Sequence, residues 1–117
     1  MANELTVSAS LNYTKLGTPT SVSVTKQMDI NAGARINTSQ KIGTSEESVA
    51  MVDVVSVRYI FVQNLDITNY VEVGAVTGSY PIKLFPGDFA LFPPNSNTLF
   101  LKANTAVCMV DILAVNA

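Results

Sequence analysis

Histidine and tryptophan are absent from this 117-residue chain, and cysteine occurs once. Without histidine there is no base for a Ser-His-Asp or Cys-His nucleophile, and no imidazole for a zinc, copper or non-haem iron centre. The one thiol, Cys108, closes no intrachain disulfide and builds no thiolate cluster. Its flanks, AVCMVDILAV, read as a strand in which it fills space as a small apolar side chain. Charge is scarce as well: charged residues make up 14% of the chain, against roughly 25% in ordinary soluble domains. Surface that carries no charge is surface suited to cover by other subunits, because charged residues are depleted at the centres of interfaces.

The remaining absences close off further classes. The basic residues Lys15, Lys26, Arg35, Lys41, Arg58, Lys83 and Lys102 stand singly, and the net charge is -2. No basic stripe is there to neutralise phosphates and no polybasic segment to hold a membrane surface, so neither nucleic acid nor membrane is an expected partner. No apolar run approaches the roughly 18 residues that span a bilayer. The first ten letters, MANELTVSAS, have neither a basic start nor an apolar stretch, so no secretory signal is expected. The six glycines are never grouped as a phosphate loop requires. Among the carboxylates, Glu46 and Glu47 are sequence neighbours whose side chains point apart in extended chain, a poor acid/base pair. Asn64, Asp66 and Asn69 are too few and wrongly spaced for a calcium loop. The expectation is a protein that is not an enzyme, with no catalytic residue, no metal and no cofactor.

What is present is alternation. In ELTVSASLNY the residues Leu5, Val7, Ala9, Leu11 and Tyr13 share one face while Thr6, Ser8, Ser10 and Asn12 share the other, the period of a half-buried strand. TSVSVTKQMDI repeats the pattern with Val22, Val24 and Met28, interrupted by Lys26. Asn-Ala-Gly then reads as a turn, and ARINTSQKIG as a strand dilute enough in apolar residues for a sheet edge. GTSEESVAMVDV reads as a loop followed by a short strand. Residues 56–63 are apolar on both faces apart from Arg58, which places them centrally and covered on both sides. YVEVGAV, IKLF, DFALF, TLFLKA and AVCMVDILAV complete about nine short strands with turn letters every eight to twelve residues. Pro81, Pro86, Pro93 and Pro94 fall at the ends of apolar runs, where strand donors are not lost. The expected fold is all-β: a single jelly-roll-like antiparallel β-sandwich of eight or nine short strands, one domain over residues 1–117.

Two polar loops draw attention as candidate partner contacts: Asn64, Asp66 and Asn69 in NLDITN, and Asn95 and Asn97 in PPNSN. In the first, turn chemistry accounts for every polar letter, since Asn, Asp and Thr side chains bond the backbone two residues on.

LFPGDFALFPPNSN resembles the second cupin motif in Pro86, Gly87, Asp88 and Pro93, without that family's metal-binding histidines. The resemblance implies a turn, strand, turn of jelly-roll shape. NLDITNYVEVG, the Pro-Gly-Asp turn and FALFPPNSNTLFLKANTAVCMVDILAVN together resemble small virion proteins of tailed bacteriophages, as does KIGTSEESVAM; the likeness spans about residues 42–116. It implies a structural component of a phage particle, a capsid decoration (cement) protein that docks on the major capsid protein, is made in the host cytoplasm and resides in the virion. It carries no site residue over. Two other readings stand beside it: a tail or fibre-tip protein whose loops bind a host glycan, and a metal-free cupin-like binder of a small ligand. Leu84-Phe85, Leu91-Phe92 and Phe100-Leu101 put an apolar residue on each face of their strands, more than one sandwich buries. Self-association is therefore expected, and the resemblance makes a trimer the expected closed state.

Overall fold

The computed structural model of the protein describes residues 4–30, 33–51 and 54–117. Contacts divide the chain into two compact units, Met1–Asn31 and Ala32–Ala117. The first is a two-stranded antiparallel ribbon, β1 (Leu5–Lys15) paired with β2 (Thr18–Met28) in unbroken register from Leu5↔Met28 to Lys15↔Thr18. Leu16 and Gly17 link them, both at positive φ (57° and 83°), the primed geometry that matches the twist of a two-residue hairpin.

Among its described residues the second unit holds eight strands: β3 (Arg35–Ile42), β4 (Glu47–Ser48), β5 (Val57–Asn64), β6 (Val71–Gly74), β7 (Ile82–Leu84), β8 (Phe89–Phe92), β9 (Phe100–Ala103) and β10 (Cys108–Asn116). They form two four-stranded sheets, in orders β3-β10-β5-β8 and β4-β9-β6-β7, with every pairing antiparallel. The pairs β3/β10, β4/β9, β5/β8 and β6/β7 follow the course of one long hairpin whose tip is the 75–81 segment. Rolling that hairpin up brings β10 beside β5 and β9 beside β6 and yields the strand order of a jelly roll. The sandwich expected over 1–117 is therefore carried by the second unit. The ten strands include every one that alternation predicts, and β3 lies at an edge as expected. The short strand near 47 falls inside the GTSEES letters at Glu47–Ser48, not after them. Val52 and Asp53, and Asn31 and Ala32 of the expected turn, lie outside the described residues.

Alternation decides what fills the sandwich. Ile60 and Val62 of β5 and Val110, Ile112 and Ala114 of β10 point inward from one sheet; Val71, Val73, Leu84, Leu101 and Ala103 meet them from the other. All are at most 3% exposed, so the space between the sheets is occupied by side chains. Cys108 is in this core with no exposed surface, the filler that its flanks predict, and burial, followed by the Asp66 charge, pushes its thiol pKa up. β5 is central, but its cover is one-sided: Ile60, Val62 and Asn64 are buried, while Tyr59, Phe61 and Gln63 stay half-buried on the outside.

Between β7 and β8 the chain reverses through Phe85-Pro86-Gly87-Asp88. The Asp88 amide donates to the Phe85 carbonyl at 2.9 Å and Gly87 has φ of 83°, the signature of a type II turn with proline first and glycine second. The Asp88 carboxylate accepts from the Phe85 amide at 3.1 Å and the Gly87 amide donates to the Asn64 carbonyl, which ties the turn to the end of β5. Valine at 87 would hold a β-branched residue at positive φ. Gly87→Val is expected to cost about 1 to 3 kcal/mol, read as a lower urea midpoint at unchanged slope.

Candidate interaction surface

The two sheets turn unlike faces to the outside. On β4-β9-β6-β7, Glu72 of β6 lies directly across from Lys102 of β9 and from Lys83 of β7, one carboxylate between two ammonium groups. The Lys83 amine sits 4.3 Å from the centre of the Tyr70 ring and 5.5 Å from that of Phe85, and Lys102 stands 5.9 Å from Tyr80. Alternating charge with lysine ammonium groups over aromatic rings suits a face in water.

On β3-β10-β5-β8 the registers align Asn37, Leu113, Phe61 and Leu91 in one row and Ser39, Asp111, Gln63 and Phe89 in the next. Phe61 and Phe89 stack across the diagonal at 6.0 Å, and Val115 is paired with Tyr59 one row away. Phe89 is 60% exposed. Among the described residues Asp111, bonded by the Ser39 hydroxyl, is the one carboxylate on the strands of this face, and Arg35 and Lys41 stand at the two ends of edge strand β3. The middle of the face, over β10, β5 and β8, is an apolar and aromatic band.

The first of the polar loops is consumed by its own hydrogen bonds. Asn64, at the end of β5, is completely buried. Its Nδ2 donates to the carbonyls of Asn69 (2.9 Å) and Leu84 (3.0 Å), and its Oδ1 accepts from the Asp66 amide at 2.9 Å. Asp66 in turn accepts from the amides of Asn69 and Thr68, and these bonds, Asn69 first, hold its carboxyl below the ordinary range. The NLDITN loop is thus a turn, with Asn69 taking part through its main chain. Beside Thr68 the loop shows apolar side chains to solvent: Ile67 is 91% exposed, and Leu65 stands partly out beside an open cleft of about 420 Å³ that Gln63, Pro86 and Gly87 also line. Neither residue stood out in the sequence, where only the polar letters of NLDITN drew attention.

At the other loop, Asn97 reaches back to pin the entry of β5: its Oδ1 accepts from the Val57 amide at 2.9 Å and its Nδ2 bonds the Val55 carbonyl. Asn116 Oδ1 completes the clamp by accepting from the amides of Val55 and Ser56. Asn95 is exposed, and with Ser56, Ser96 and Asn97 it lines an open polar cleft of about 330 Å³. Structure brings together Asn64, Asp66 and Asn69, and separately Asn95 and Asn97; the two groups belong to different loops.

Glu46 and Glu47 go to separate partners, as adjacent residues in extended chain must. The Glu46 carboxylate accepts from the Tyr80 hydroxyl and from the Gly78 amide at 2.9 Å, which lowers its pKa and raises that of Tyr80; Glu47 accepts from the Gly43 amide at 2.6 Å. Among the described residues, no three acidic or cysteine side chains gather where they would hold a metal ion. Asp66 and Glu46 share one consequence. Because the fold holds both below the ordinary carboxylate range, their contribution to stability is complete at neutral pH and is lost as the pH falls below about 4 and protons are taken up. The urea midpoint should therefore drop on acidification, and the double variant Asp66→Asn/Glu46→Gln should show a smaller drop.

The Ala32–Ala117 unit thus presents one sheet face with its charges across β9, β6 and β7, one with an apolar row at its centre and its charges at Asp111 and along edge strand β3, and two tied-down loops, and the Met1–Asn31 unit a ribbon that shows Leu11, Tyr13, Val22 and Val24 to solvent. No protein family, no curated protein and no solved structure matches this chain.

Proposed function

We propose that this chain is a non-enzymatic structural component of a bacteriophage particle, a capsid decoration protein that associates with itself and seats on the major capsid protein. The carrying observation is the inequality of the two sheet faces: Lys102, Glu72 and Lys83 line up on one, Leu113, Phe61 and Leu91 on the other. Leu113, Phe61 and Leu91 are a half-buried apolar row across three strands, which suits a lattice component with one face for protein and one for water. The jelly-roll strand order accords with this reading, as does the resemblance of residues 42–116 to phage virion proteins. A filled interior argues against the cupin-like binder, which needs space between its sheets.

The polar cleft at Ser56, Asn95, Ser96 and Asn97 favours one second reading, a tail or fibre-tip protein that holds a host glycan through short amide and hydroxyl side chains. Copy number separates the two. In purified virions of the phage that encodes the chain, quantitative mass spectrometry is expected to find it in fixed proportion to the major capsid protein. A handful of copies per particle would move it to the tail, and absence from virions would overturn both readings.

A further inference from the structure

The fold treats its asparagines unequally. Asn64, Asn97 and Asn116 are each clamped through both side-chain atoms, Oδ1 and Nδ2, by hydrogen bonds to main chain. Asn12 and Asn37 lie inside β1 and β3, where the ladder holds the backbone extended. Asn69 and Asn104 have bonded amides, to the Asp66 carboxylate and the Tyr70 carbonyl, and are followed by the bulky Tyr70 and the β-branched Thr105. Asn95 differs on every count. It is exposed, it precedes the small and unbranched Ser96, and neither its own polar groups nor the Ser96 amide has a hydrogen-bond partner among the described residues.

The flanks of Asn95 are held where it is not. Pro94 before it has a fixed φ. After it, the Ser96 hydroxyl accepts from the Thr98 amide at 3.3 Å, the Thr98 hydroxyl donates to the Ala75 carbonyl at 2.8 Å, and Asn97 is bonded to the main chain of Val55 and Val57. Asn95 is the free joint between two anchored ends.

We infer that Asn95 is a site of spontaneous covalent modification, at which the main-chain nitrogen of Ser96 attacks the side-chain carbonyl carbon of Asn95. The Ser96 amide gives its proton to solvent, the new N–Cγ bond forms, and the Cγ–Nδ2 bond breaks as Nδ2 takes up a proton. Ammonia leaves and a succinimide ring remains. Water then adds to either carbonyl of the ring and breaks its bond to nitrogen, which leaves aspartate or isoaspartate at 95. Nothing is oxidised or reduced, and water is the only co-reactant. The nucleophile is available because it donates to no carbonyl, the electrophile because no bond holds its amide away, and the path because Ser96 has no β-methyl to crowd it. The product alters the loop in charge and in length. The cleft lined by Ser56, Val57, Pro94, Ser96 and Asn97 gains its first charged side chain, and isoaspartate adds a carbon to the main chain between Pro94 and Ser96.

The test incubates the full-length protein in mildly alkaline buffer, which favours loss of the Ser96 amide proton, and runs a second incubation in urea. Peptide mapping by mass spectrometry reads the exchange of NH2 for OH at each asparagine, and ion-exchange chromatography reads the added negative charge. In the folded chain Asn95 should convert ahead of every other described asparagine and about as fast as in urea, because an unbonded exposed loop needs no opening. Asn64, Asn97 and Asn116 should convert several-fold more slowly folded than in urea, because their clamps must open first. Ser96→Thr keeps the amide and the hydroxyl but adds a β-methyl, and should slow the change at 95 several-fold. Asn95→Gln, whose longer side chain closes a less favourable ring, should lose the early acidic species. An Asn95 that survives in the folded chain while urea exposes it to conversion overturns the inference. So does earlier conversion of another described asparagine, or a Ser96→Thr chain that converts as fast as wild type.

Discussion

Replacing Asn64 with alanine is expected to lower the stability of the chain by about 3 kcal/mol, because it strands three backbone groups at once, one buried and two part-buried. Asn64 is fully buried and supplies two donors and one acceptor: the carbonyls of Asn69 and Leu84 receive its Nδ2, and the amide of Asp66 binds its Oδ1. Its main chain does as much, donating to the Asp88 carbonyl and accepting from Gly87. The one residue thereby ties the end of β5 to the 64–69 loop, to β7 and to the Pro86-Gly87 turn. Asp66→Ala, which removes an acceptor at the exposed side of the same loop, should cost much less.

Aspartate at 64 discriminates this account from one of shape alone. It has nearly the volume of asparagine but would aim a carboxylate at two carbonyl oxygens, so burial and those oxygens would raise its folded-state pKa. Stability lent by a raised pKa is present below the unfolded value and lost as pH rises through the folded one. Asn64→Asp should therefore be severely destabilised at neutral pH and gain stability on acidification toward about pH 5, where wild type is flat. Urea unfolding of both proteins from about pH 8 to about pH 5 gives the result; equal slopes against pH would refute the donor role.

The contrast between Asn64 and Asp66 shows how far letters alone reach. Both belong to an Asn-Leu-Asp-Ile-Thr-Asn turn, and both do bond the backbone two residues on, as such residues do. That Asn64 is also a buried hub follows from β7 and the Pro86-Gly87 turn arriving beside it, twenty residues later in the chain, which no local pattern encodes. The same divide runs through the strands. Period-two alternation in 4–13 and 20–30 announces two strands and says which side chains share a face. It is silent on cover, because alternation belongs to one strand and cover to whatever packs on it. Residues 56–63 show the converse: apolar letters on both faces predict cover on both, and the chain supplies it on one, leaving Tyr59 and Phe61 half-buried. β4 has two residues and therefore no period to read. The Pro86-Gly87 turn was fully legible because each letter meets a stereochemical demand of its own position.

Gly74 was not legible, and the second large effect is expected there. It closes β6 in the letters VEVG, paired with Phe100 of β9, and its backbone is not left-handed, so no turn chemistry marks it. The constraint is space. The chain returning from the hairpin tip passes so close that a Cβ built on Gly74 would stand 1.9 Å from the Ser79 carbonyl oxygen and 3.1 Å from the Tyr80 Cα. Both neighbours are backbone, so neither can swing aside as a side chain would. Nor is the returning segment loose: the Ser79 amide donates to the Val76 carbonyl at 3.0 Å, and Glu46 holds the Gly78 amide and the Tyr80 hydroxyl. Gly74→Ala must break the β6–β9 ladder at its end or push residues 79–80 outward off Glu46, and overpacking against backbone places the cost at about 3 kcal/mol. The second route leaves a mark that a general loss of stability would not. The hydrogen bond to Glu46 is the first cause of the raised Tyr80 pKa and of the lowered Glu46 pKa. In Gly74→Ala, under conditions where it is still folded, the Tyr80 pKa should fall toward that of an ordinary tyrosine and the Glu46 pKa should rise, both measurable by NMR titration. An alanine variant with wild-type stability would mean that residues 79–80 do not lie across β6 at all, and the hairpin tip would have to be redrawn.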